Sequence, residues 1–251
     1  MSHPYLSIVI PAFNEADGIT ATLNDVVHDL DSLGRPFEVV VVDDGSADET
    51  AALVAARAAV DPRIRLIRAG HLGKGGAVRR GMLEALGDWR FLADADLSMP
   101  IAQVRRFLPA DGGAHPDVLI GSREAAGAER VAEPWHRHLL GRVFNYLARV
   151  LVIDGLQDTQ CGYKMFSAAA AMALFPAQTL DGFGFDVEIL FLAHRAGYEI
   201  REVPVTWTYR TRTTVTAFSG AGGFADLLRV RWNQLCRRYP PAGTARAGRR
   251  G

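Results

Sequence analysis

Two aspartates, Asp94 and Asp96, stand at the end of an apolar run that starts at Phe91. The segment 89–95 has the composition of a buried strand, in which residues two apart point to the same side. We therefore expect the two carboxylates to converge, and like charges that close repel each other unless a cation lies between them. Such oxygen ligands suit Mg²⁺ or Mn²⁺, shared with the phosphates of a substrate.

Polar residues also end other apolar runs of the first half. Asp43 and Asp44 could accept hydrogen bonds from a nucleobase N–H or a ribose hydroxyl. Asn14 and Glu15 could instead serve the start of the next helix, where an acid favours the positive end of the helix dipole. Arg123 follows the fifth run. The chain thus places candidate ligands at the ends of its apolar runs.

The segment 71–82 is a glycine-rich entry to a helix. Backbone N–H groups at such a start attract phosphate, and Lys74 adds a positive charge. Gly75 stands where a Walker A loop has serine or threonine after its glycine-lysine pair, so the segment is not that motif. A plain helix start explains the glycines equally well.

Several residues near these clusters have structural interpretations. Ser46 and Glu49 form the S-x-x-E pattern of a capping box. Ser98 is placed to cap the next helix, with Pro100 in its first turn. Asp186 is expected to cap the helix that follows it. None of these roles explains the aspartates at the strand ends.

The elements that must position these residues alternate along the first half. Apolar runs rich in β-branched residues predict strands at 6–11, 37–43, 64–68, 89–95 and 117–122, with helices at about 16–33, 47–60, 75–87 and 101–109. Near-continuous apolar strands separated by helices are typical of a mostly parallel sheet covered on both faces. This α/β, Rossmann-like doubly wound fold binds ligands beyond the carboxyl ends of its strands.

The second half has a different organisation, with more helix. We predict an amphipathic helix over 137–155, a loop at 158–166, helices at 168–174, 182–197 and 222–239, and a strand pair or bent strand at 198–210. The boundaries we expect are a nucleotide-binding half over 1–123, an acceptor half over 124–215, a C-terminal amphipathic helix over 216–239 and a disordered basic tail over 240–251.

Bulk composition excludes some partners and sites. Lys plus Arg and Asp plus Glu balance at 28 each in 251 residues, so no global field recruits nucleic acid or membrane. The two cysteines have no metal spacing, and we expect Cys161 to be a small buried hydrophobe. We predict neither a signal peptide nor a membrane span, so contact with a membrane would be peripheral. A set of cations in the second half, including Arg142, fits an anionic lipid head group beside an amphipathic helix.

The motifs taken in order resemble one family. SIVIPAFNE, VVVDDGSADET, GKGGAVRRGM, DADLS, IGSR, DTQCGYKMF and GFGFDVEILFLAHRAGYEIREVPVTW follow one another over roughly residues 5–215. They are similar to the motifs of family 2 glycosyltransferases of GT-A fold. DTQCGYK and GFGFDVE resemble the dolichyl- or polyprenyl-phosphate branch, most of all its dolichyl-phosphate β-glucosyltransferase type.

The resemblance implies roles for individual residues on the donor side. Asp94 and Asp96, with Ala95 between them, match a metal-binding DXD element for Mg²⁺ or Mn²⁺. Lys74 matches a position near the diphosphate, and Arg123 matches an arginine that faces the sugar and phosphates. The residues that match positions around the base and ribose are Pro11, Phe13, Glu15, Val42 and Asp44.

On the acceptor side, the resemblance makes Asp158 and Arg123 the catalytic candidates, with Asp158 as base. A lipid monophosphate has a second pKa of about 6 and is largely ionised at neutral pH, so it needs cations more than a base. A saccharide hydroxyl would need its proton removed. We expect the acceptor phosphate to contact basic residues of the second half, namely Arg130, Arg137, Lys164, Arg210 and Arg212.

The chain departs from the family pattern after its late strand. Relatives of this type often carry a Ser-Lys or Ser-Arg pair there, whereas this chain has Thr213-Thr214, with Arg210 and Arg212 just upstream. Either those arginines have taken over the grip on the phosphate or the acceptor differs.

The implied activity is that of an inverting, metal-dependent hexosyltransferase. It would move a sugar, glucose from UDP-glucose being favoured, to a polyprenyl or dolichyl phosphate, as a peripheral enzyme at the cytoplasmic face of the membrane. Alternatives are a GDP-mannose-dependent polyprenyl-phosphate mannosyltransferase and a family 2 transferase that acts on a saccharide hydroxyl. A binding module without turnover and a nucleotidyltransferase are further hypotheses.

Overall fold

A computed structural model describes residues 3–109, 115–132, 134–209 and 217–243. Within these ranges, no helix combines the length and the apolar character that crossing a membrane requires. The strands are β1 (Leu6–Ala12), β2 (Phe37–Asp43), β3 (Ile64–Arg68), β4 (Trp89–Leu92), β5 (Val118–Ser122), β6 (Glu129–Val131), β7 (Lys164–Ser167), β8 (Ile200–Pro204) and β9 (Thr206–Thr208). The helices are α1 (Ile19–Asp31), α2 (Thr50–Val60), α3 (Lys74–Glu84), α4 (Trp135–Leu151), α5 (Ala168–Leu174), α6 (Phe185–Ala196) and α7 (Ala217–Leu235), with short 3₁₀ helices at Ile101–Arg106 and Phe175–Ala177.

The main sheet has seven strands in the order β3-β2-β1-β4-β7-β5-β8, and β6 pairs with β9 in a small second sheet. Apolar side chains of β1 and β2 are buried on both faces of the main sheet, as near-continuous apolar runs predict. The neighbouring strands are parallel except for β7, which is antiparallel to both β4 and β5. The predicted α/β, mostly parallel fold is confirmed.

Strand β7 begins within the segment 158–166, which was predicted to be a loop, so that prediction is wrong for its last three residues. The strand has only four residues, and its apolar signal is short. Because β7 runs opposite to its neighbours, its first residue lies at the edge where β4 and β5 end. The preceding residues 158–163 are therefore brought to the carboxyl edge of the parallel strands.

Some element boundaries differ from the predictions. The strand predicted over 89–95 ends at Leu92, and the helix predicted over 101–109 is a 3₁₀ helix that ends at Arg106. The segment 198–210 forms β8 beside β5 and then β9 beside β6, so the expected strand pair is divided between two sheets. Most of the tail 240–251 lies outside the described residues.

The predicted caps are also wrong. Helix α2 begins at Thr50, and its N-cap, Glu49, makes no side-chain cap bond. The Ser46 hydroxyl instead accepts the N–H of Asn14 at 2.9 Å, which ties the loop after β2 to the loop after β1. Asp186 lies in the first turn of α6, whose N-cap is Gly184. The predicted stop of that helix at residue 197 is confirmed.

Candidate active site

The loops after β1 and β2 bring the predicted base and ribose residues together. Pro11 is paired with Val42 in the register of the two strands, and the N–H of Asp44 donates to the carbonyl of the last residue of β1 at 2.8 Å. The Phe13 ring, 38% exposed, lies 4.8 Å from that of His71. Glu15 follows, and its N–H donates to a hydroxyl at the start of α2. These residues meet at the carboxyl edge of the sheet, where Pro11, Phe13 and Glu15 form an accessible patch, whereas Val42 is fully buried and Asp44 nearly so.

Asp44 joins this patch to the glycine-rich start of α3. Its carboxylate is almost fully buried and accepts the N–H of Leu72 at 2.5 Å and that of Gly73 at 2.9 Å. The N–H groups of Gly75 and Gly76 donate to the carbonyl of Asp181 at 2.7 and 3.2 Å. These four N–H groups at the glycine-rich start therefore already have protein partners, which corrects the predicted attraction of phosphate and leaves the Lys74 ammonium as the candidate phosphate contact.

Lys74 points its ammonium at Asp94, and Nζ lies 2.7 Å from Oδ1. Both side chains remain about a quarter exposed, at 26% and 27%, so a ligand can reach the pair. Burial lowers the pKa of Lys74, but Asp94 and Asp186 raise it by more, so it lies well above its usual value. Burial raises the pKa of Asp94, but Lys74 lowers it by more. Both groups are charged at neutral pH.

Asp96 is held by a different partner. Its Oδ1 accepts the N–H of Ser98 at 2.9 Å, and its Oδ2 accepts the Ser98 hydroxyl at 2.8 Å. Ser98 therefore orients this aspartate, and the predicted helix cap is wrong because Pro100 occupies the N-cap position without a side-chain cap bond. Both aspartates lie beyond the end of β4, in a turn where Leu97 has a φ of 43°. Strand alternation therefore does not set their relative orientation.

Gly162 approaches Asp94 from the loop that precedes β7. A Cβ atom built on this glycine would lie 1.9 Å from Oδ2 of Asp94, closer than any real contact. The two oxygens of Asp94 are thus confined between the ammonium of Lys74 and the backbone at Gly162. We call this loop, residues 158–163, the β7 loop. It borders the site on the side opposite α3.

The residues present fit a small hard cation that is shared with a substrate. Asp94 and Asp96 offer carboxylate oxygens, and each oxygen of Asp96 keeps a lone pair after its bond to Ser98. Among the described residues, no group of three or more His, Cys, Asp or Glu side chains could hold a metal by itself. Mg²⁺ commonly binds through one or two carboxylates, with waters and substrate phosphates as its other ligands.

Arg123, at the end of β5, forms a bidentate ion pair with Asp158. Its Nε lies 2.7 Å from Oδ2 and its Nη2 lies 2.9 Å from Oδ1, and its guanidinium lies 5.6 Å from the centre of the Trp207 ring. Asp158 is fully buried, yet its pKa falls to about 2, because Arg123 outweighs the effect of burial. A carboxylate this acidic is a poor general base at neutral pH, but it fixes the position of the arginine.

Lys164 is not available to an acceptor, which corrects its predicted role. Its side chain is fully buried at the start of β7, where Nζ donates to the carbonyl of Cys161 and to Oδ1 of Asp186, both at 2.5 Å. Cys161 itself is buried, as expected. Burial raises the pKa of Asp186 in spite of this partner. The pair supports the loop that carries Gly162.

The other predicted acceptor cations are placed only in part. The side chain of Arg130, in β6, lies beside Arg123 and donates to the Arg123 carbonyl at 3.3 Å and to Glu124 at 2.6 Å. Arg137 belongs to α4, but its side chain lies outside the described residues, as do Arg210 and Arg212 altogether.

The sequence analysis did not assign four of the residues that shape the site to it. Gly162 and Trp207 had no local signal, because their contacts with Asp94 and Arg123 come from distant parts of the chain. Ser98 was noticed and given the role of a cap. Asp186 could have been found by asking which acid pairs with Lys164 in its apolar surroundings, since buried charges are almost always paired.

Comparison with known proteins identifies the family that the chain resembles. The model of the family described as Glycosyl transferase family 2 matches residues 7–175. The dolichyl-phosphate beta-glucosyltransferase of Dictyostelium discoideum is 32% identical over 245 residues, which cover 92% of this chain and 75% of that protein. The protein of the same name from Saccharomyces cerevisiae is 35% identical over 222 residues, with 81% and 66% covered. Glycosyltransferase AglD of Haloferax volcanii is 34% identical over 234 residues, with 92% and 37% covered.

The chain therefore spans about two thirds to three quarters of the first two relatives and little more than a third of AglD. Among solved structures, the UDP complex of glucosyl-3-phosphoglycerate synthase from Mycobacterium tuberculosis superposes with a TM-score of 0.66 at 20% identity, over 90% of this chain and 80% of that one. The complex of the same enzyme with Mn²⁺, UDP and glucosyl-3-phosphoglycerate gives 0.65 at 18%. This likeness shows a common fold.

Proposed function

The chain belongs to glycosyl transferase family 2, and from this premise we propose that it is an inverting enzyme that transfers glucose from UDP-glucose to a polyprenyl or dolichyl phosphate. The observation that carries the proposal is the row of charged groups along one edge of the sheet. The row consists of the Lys74–Asp94 pair, Asp96 and the Arg123–Asp158 pair. The names of the relatives support the sugar and the class of acceptor.

On the donor side, the departing nucleoside diphosphate gains charge that has to be offset. Lys74 is a permanently charged donor at the edge of the sheet, and it would contact the diphosphate. Asp94 and Asp96 would hold Mg²⁺ or Mn²⁺, which supplies Lewis-acid stabilisation of the leaving group. The base and ribose would lie on the patch formed by Pro11, Phe13 and Glu15, with Asp44 and the buried Val42 beneath it.

On the acceptor side, the geometry favours a nucleophile that is already ionised. The carboxylate of Asp158 is occupied by Arg123, and its pKa of about 2 leaves it little capacity to take a proton. A phosphate monoester needs no base at neutral pH, because its second pKa is about 6. Arg123, with Arg130 beside it, would hold the phosphate in line with the sugar, and Asp158 would act as a positioning residue.

A lipid phosphate acceptor implies a location. The enzyme would work peripherally at the cytoplasmic face of a membrane, since the nucleotide-sugar is dissolved in the cytoplasm and the acceptor phosphate lies at the bilayer surface. The basic, amphipathic character of the second half supports this placement.

The test is a transfer assay with purified protein, Mn²⁺, UDP-glucose and a polyprenyl phosphate in detergent. We expect a glucosylated lipid and UDP, with at least about a 100-fold loss for Asp94→Ala, because removal of a group that stabilises transition-state charge costs that much. Asp25→Ala, which removes an exposed carboxylate on α1, is the matched control.

Two other outcomes would redirect the proposal. Absence of turnover across a panel of UDP- and GDP-sugars would contradict it. Turnover with a saccharide acceptor but not with a polyprenyl phosphate would favour the hydroxyl-transfer alternative. A thermal-shift screen of UDP- and GDP-sugars with Mn²⁺ identifies the donor separately, because a bound ligand stabilises the folded protein by mass action.

A further inference from the structure

Helices α4 and α7 each expose a stripe of apolar side chains. On α4 the stripe consists of Leu139, Val143, Tyr146 and Val150, which are 47–60% exposed and follow helical spacing, with Trp135, 76% exposed, one turn earlier. On α7 it consists of Leu228, Trp232 and Leu235, which are 62–76% exposed. Single exposed apolar residues are normal, but contiguous rows mark surfaces that bind something.

The two stripes border each other. The rings of Phe144 and Phe224 lie 5.3 Å apart, and the Arg231 Nε donates to the carbonyl of Leu151. The second contact lies seven residues after the first on both helices, so α4 and α7 run side by side and parallel. Leu228 lies one turn after Phe224 and one turn before Arg231, and therefore on the edge of α7 that adjoins α4. We call the combined surface the α4–α7 face.

The α4–α7 face is flanked almost entirely by positive charge. The 17 residues of α4 include no Asp or Glu, and Arg142 and Arg149 are exposed beside its apolar stripe. Arg229 and Arg231 are exposed on α7. The acid of α7, Asp226, is turned toward the body of the protein, where it packs against Gly184. The surface therefore combines apolar area with positive charge and lacks exposed acids among its described residues.

We propose that the α4–α7 face docks on the surface of an anionic lipid bilayer. Leucine, valine and tryptophan side chains enter the boundary between head groups and acyl chains, where tryptophan and tyrosine are favoured. The arginines contact anionic head groups. A second copy of this chain is a poor occupant, because the same arginines would face each other. The inference deepens the proposed function and rests on it for the acceptor lipid, whereas its evidence is the surface itself.

The face is connected to the site by a short chain of contacts. Asn145 lies on the buried side of α4, and its Oδ1 accepts the N–H of Thr159 at 3.1 Å and the Thr159 hydroxyl at 3.0 Å. Thr159 follows Asp158, which holds Arg123. Docking through α4 would therefore place the Arg123–Asp158 pair at a fixed distance from the bilayer surface, where the phosphate of a lipid acceptor lies.

Vesicle flotation tests the docking without the reaction. The vesicles contain phosphatidylcholine alone or mixed with phosphatidylglycerol, and they lack polyprenyl phosphate and nucleotide. We expect binding to the anionic vesicles, at least about tenfold weaker binding for Val150→Glu and Leu228→Glu, and about fivefold weaker binding for Arg149→Gln. Val60→Glu is the matched control, because Val60 is 73% exposed on α2, outside the face.

Thermal melting of each variant verifies the fold. Equal vesicle binding by the unaltered protein and the Val150→Glu, Leu228→Glu double variant would overturn the inference, as would failure of the unaltered protein to bind anionic vesicles. Dimerisation in sedimentation experiments that the same variants abolish would assign the face to a second copy instead. Vesicle binding by a protein that transfers no sugar to a short, water-soluble prenyl phosphate would contradict the proposed function and still support the docking.

Discussion

The pairs Lys74–Asp94 and Lys164–Asp186 consist of the same residue types and lie at the same edge of the sheet, but their surroundings are opposite. The side chains of the first pair are 26% and 27% exposed, whereas those of the second are 1% and 7% exposed. An open pair can exchange its partners for a ligand, while a buried pair cannot be reached by one. Exposure thus separates the charges that can bind a substrate from those that hold the site in place.

The two pairs are nevertheless coupled. Asp186 helps to raise the pKa of Lys74, and Lys164 helps to lower the pKa of Asp94. Lys164 also donates to the carbonyl of Cys161, next to the glycine that touches Asp94. We call Lys164–Asp186 the lower pair and Lys74–Asp94 the upper pair. The lower pair acts on the upper one both through its charge and through the backbone of the β7 loop.

The largest effect should come from the lower pair. Asp186→Ala leaves the Lys164 ammonium buried without its carboxylate, so we expect the free energy of unfolding to fall by about 3–5 kcal/mol. Asp94→Ala, in the upper pair, should lower it by only about 1 kcal/mol or less, because the pair is partly solvated. Urea denaturation of both variants at pH 7 measures the difference.

The comparison would fail if the two variants were equally destabilised. A second variant checks the cause, because Lys164→Met combined with Asp186→Leu removes both charges and should recover much of the loss. Recovery would show that the buried uncompensated charge, and not the lost volume, destabilises Asp186→Ala.

The next effect concerns the contact between the β7 loop and the upper pair. Gly162→Ala places a methyl carbon 1.9 Å from the present position of Oδ2 of Asp94, so the carboxylate has to move. We expect about a 100-fold loss of kcat, the size that a displacement of about 1 Å in a catalytic group can cause. Gly70→Ala is the matched control, since a Cβ there meets nothing within 4 Å. Full activity of Gly162→Ala would mean that the position of Asp94 is not critical.

The layout of the proposed donor side could be predicted from the sequence because its signals are local. Long apolar strands such as 37–43, followed at once by polar residues, fix both the sheet and the edge at which those residues meet. The parallel-strand rule then places Asp44 and Asp94 on one side without knowledge of their contacts. The rule does not predict which backbone N–H groups already have hydrogen-bond partners. At the start of α3, these groups donate to the Asp44 carboxylate and to the carbonyl of Asp181.

The layout of the proposed acceptor side was less predictable because its signals are tertiary. Strand β7 has four residues and is recognisable only by its pairing between β4 and β5. Lys164 was expected to contact the acceptor phosphate, yet the insertion of β7 buries it, and Asp186 becomes its partner instead of a helix cap. Sequence periodicity reports the face on which a residue lies, but it does not report how deep that face is buried.

A third pair, Arg123–Asp158, extends the comparison to pH. The pKa of Asp158 is lowered to about 2, so its carboxylate stabilises the folded state above the unfolded pKa of about 4, and this stabilisation is lost as the pH falls through about 2. We expect this pair to contribute a loss of about 2 kcal/mol in the free energy of unfolding over that interval. Denaturation measured between about pH 4 and pH 2 should show that the free energy of unfolding falls less with pH in Asp158→Asn than in the unaltered protein. An equal pH dependence in the two proteins would argue against the pair.

The smallest effect should come from Asp96, which differs from Asp94 in having a hydroxyl and not an ammonium as its side-chain partner. Ser98→Ala keeps the backbone N–H bond to Oδ1 and removes the hydroxyl bond to Oδ2. Since partners that orient a metal ligand are worth about 10–100-fold in affinity, we expect the Mn²⁺ concentration for half-maximal activity to rise about tenfold, at the low end, because one bond remains. Ser32→Ala removes an exposed hydroxyl that donates to the Asp29 carbonyl and accepts from Arg105, and it should leave the Mn²⁺ dependence unchanged. If Ser98→Ala left the Mn²⁺ dependence unchanged while Asp94→Ala abolished activity, the metal would depend on Asp94 alone, and the second aspartate of the pair would have to serve the turn that it shares with Ser98.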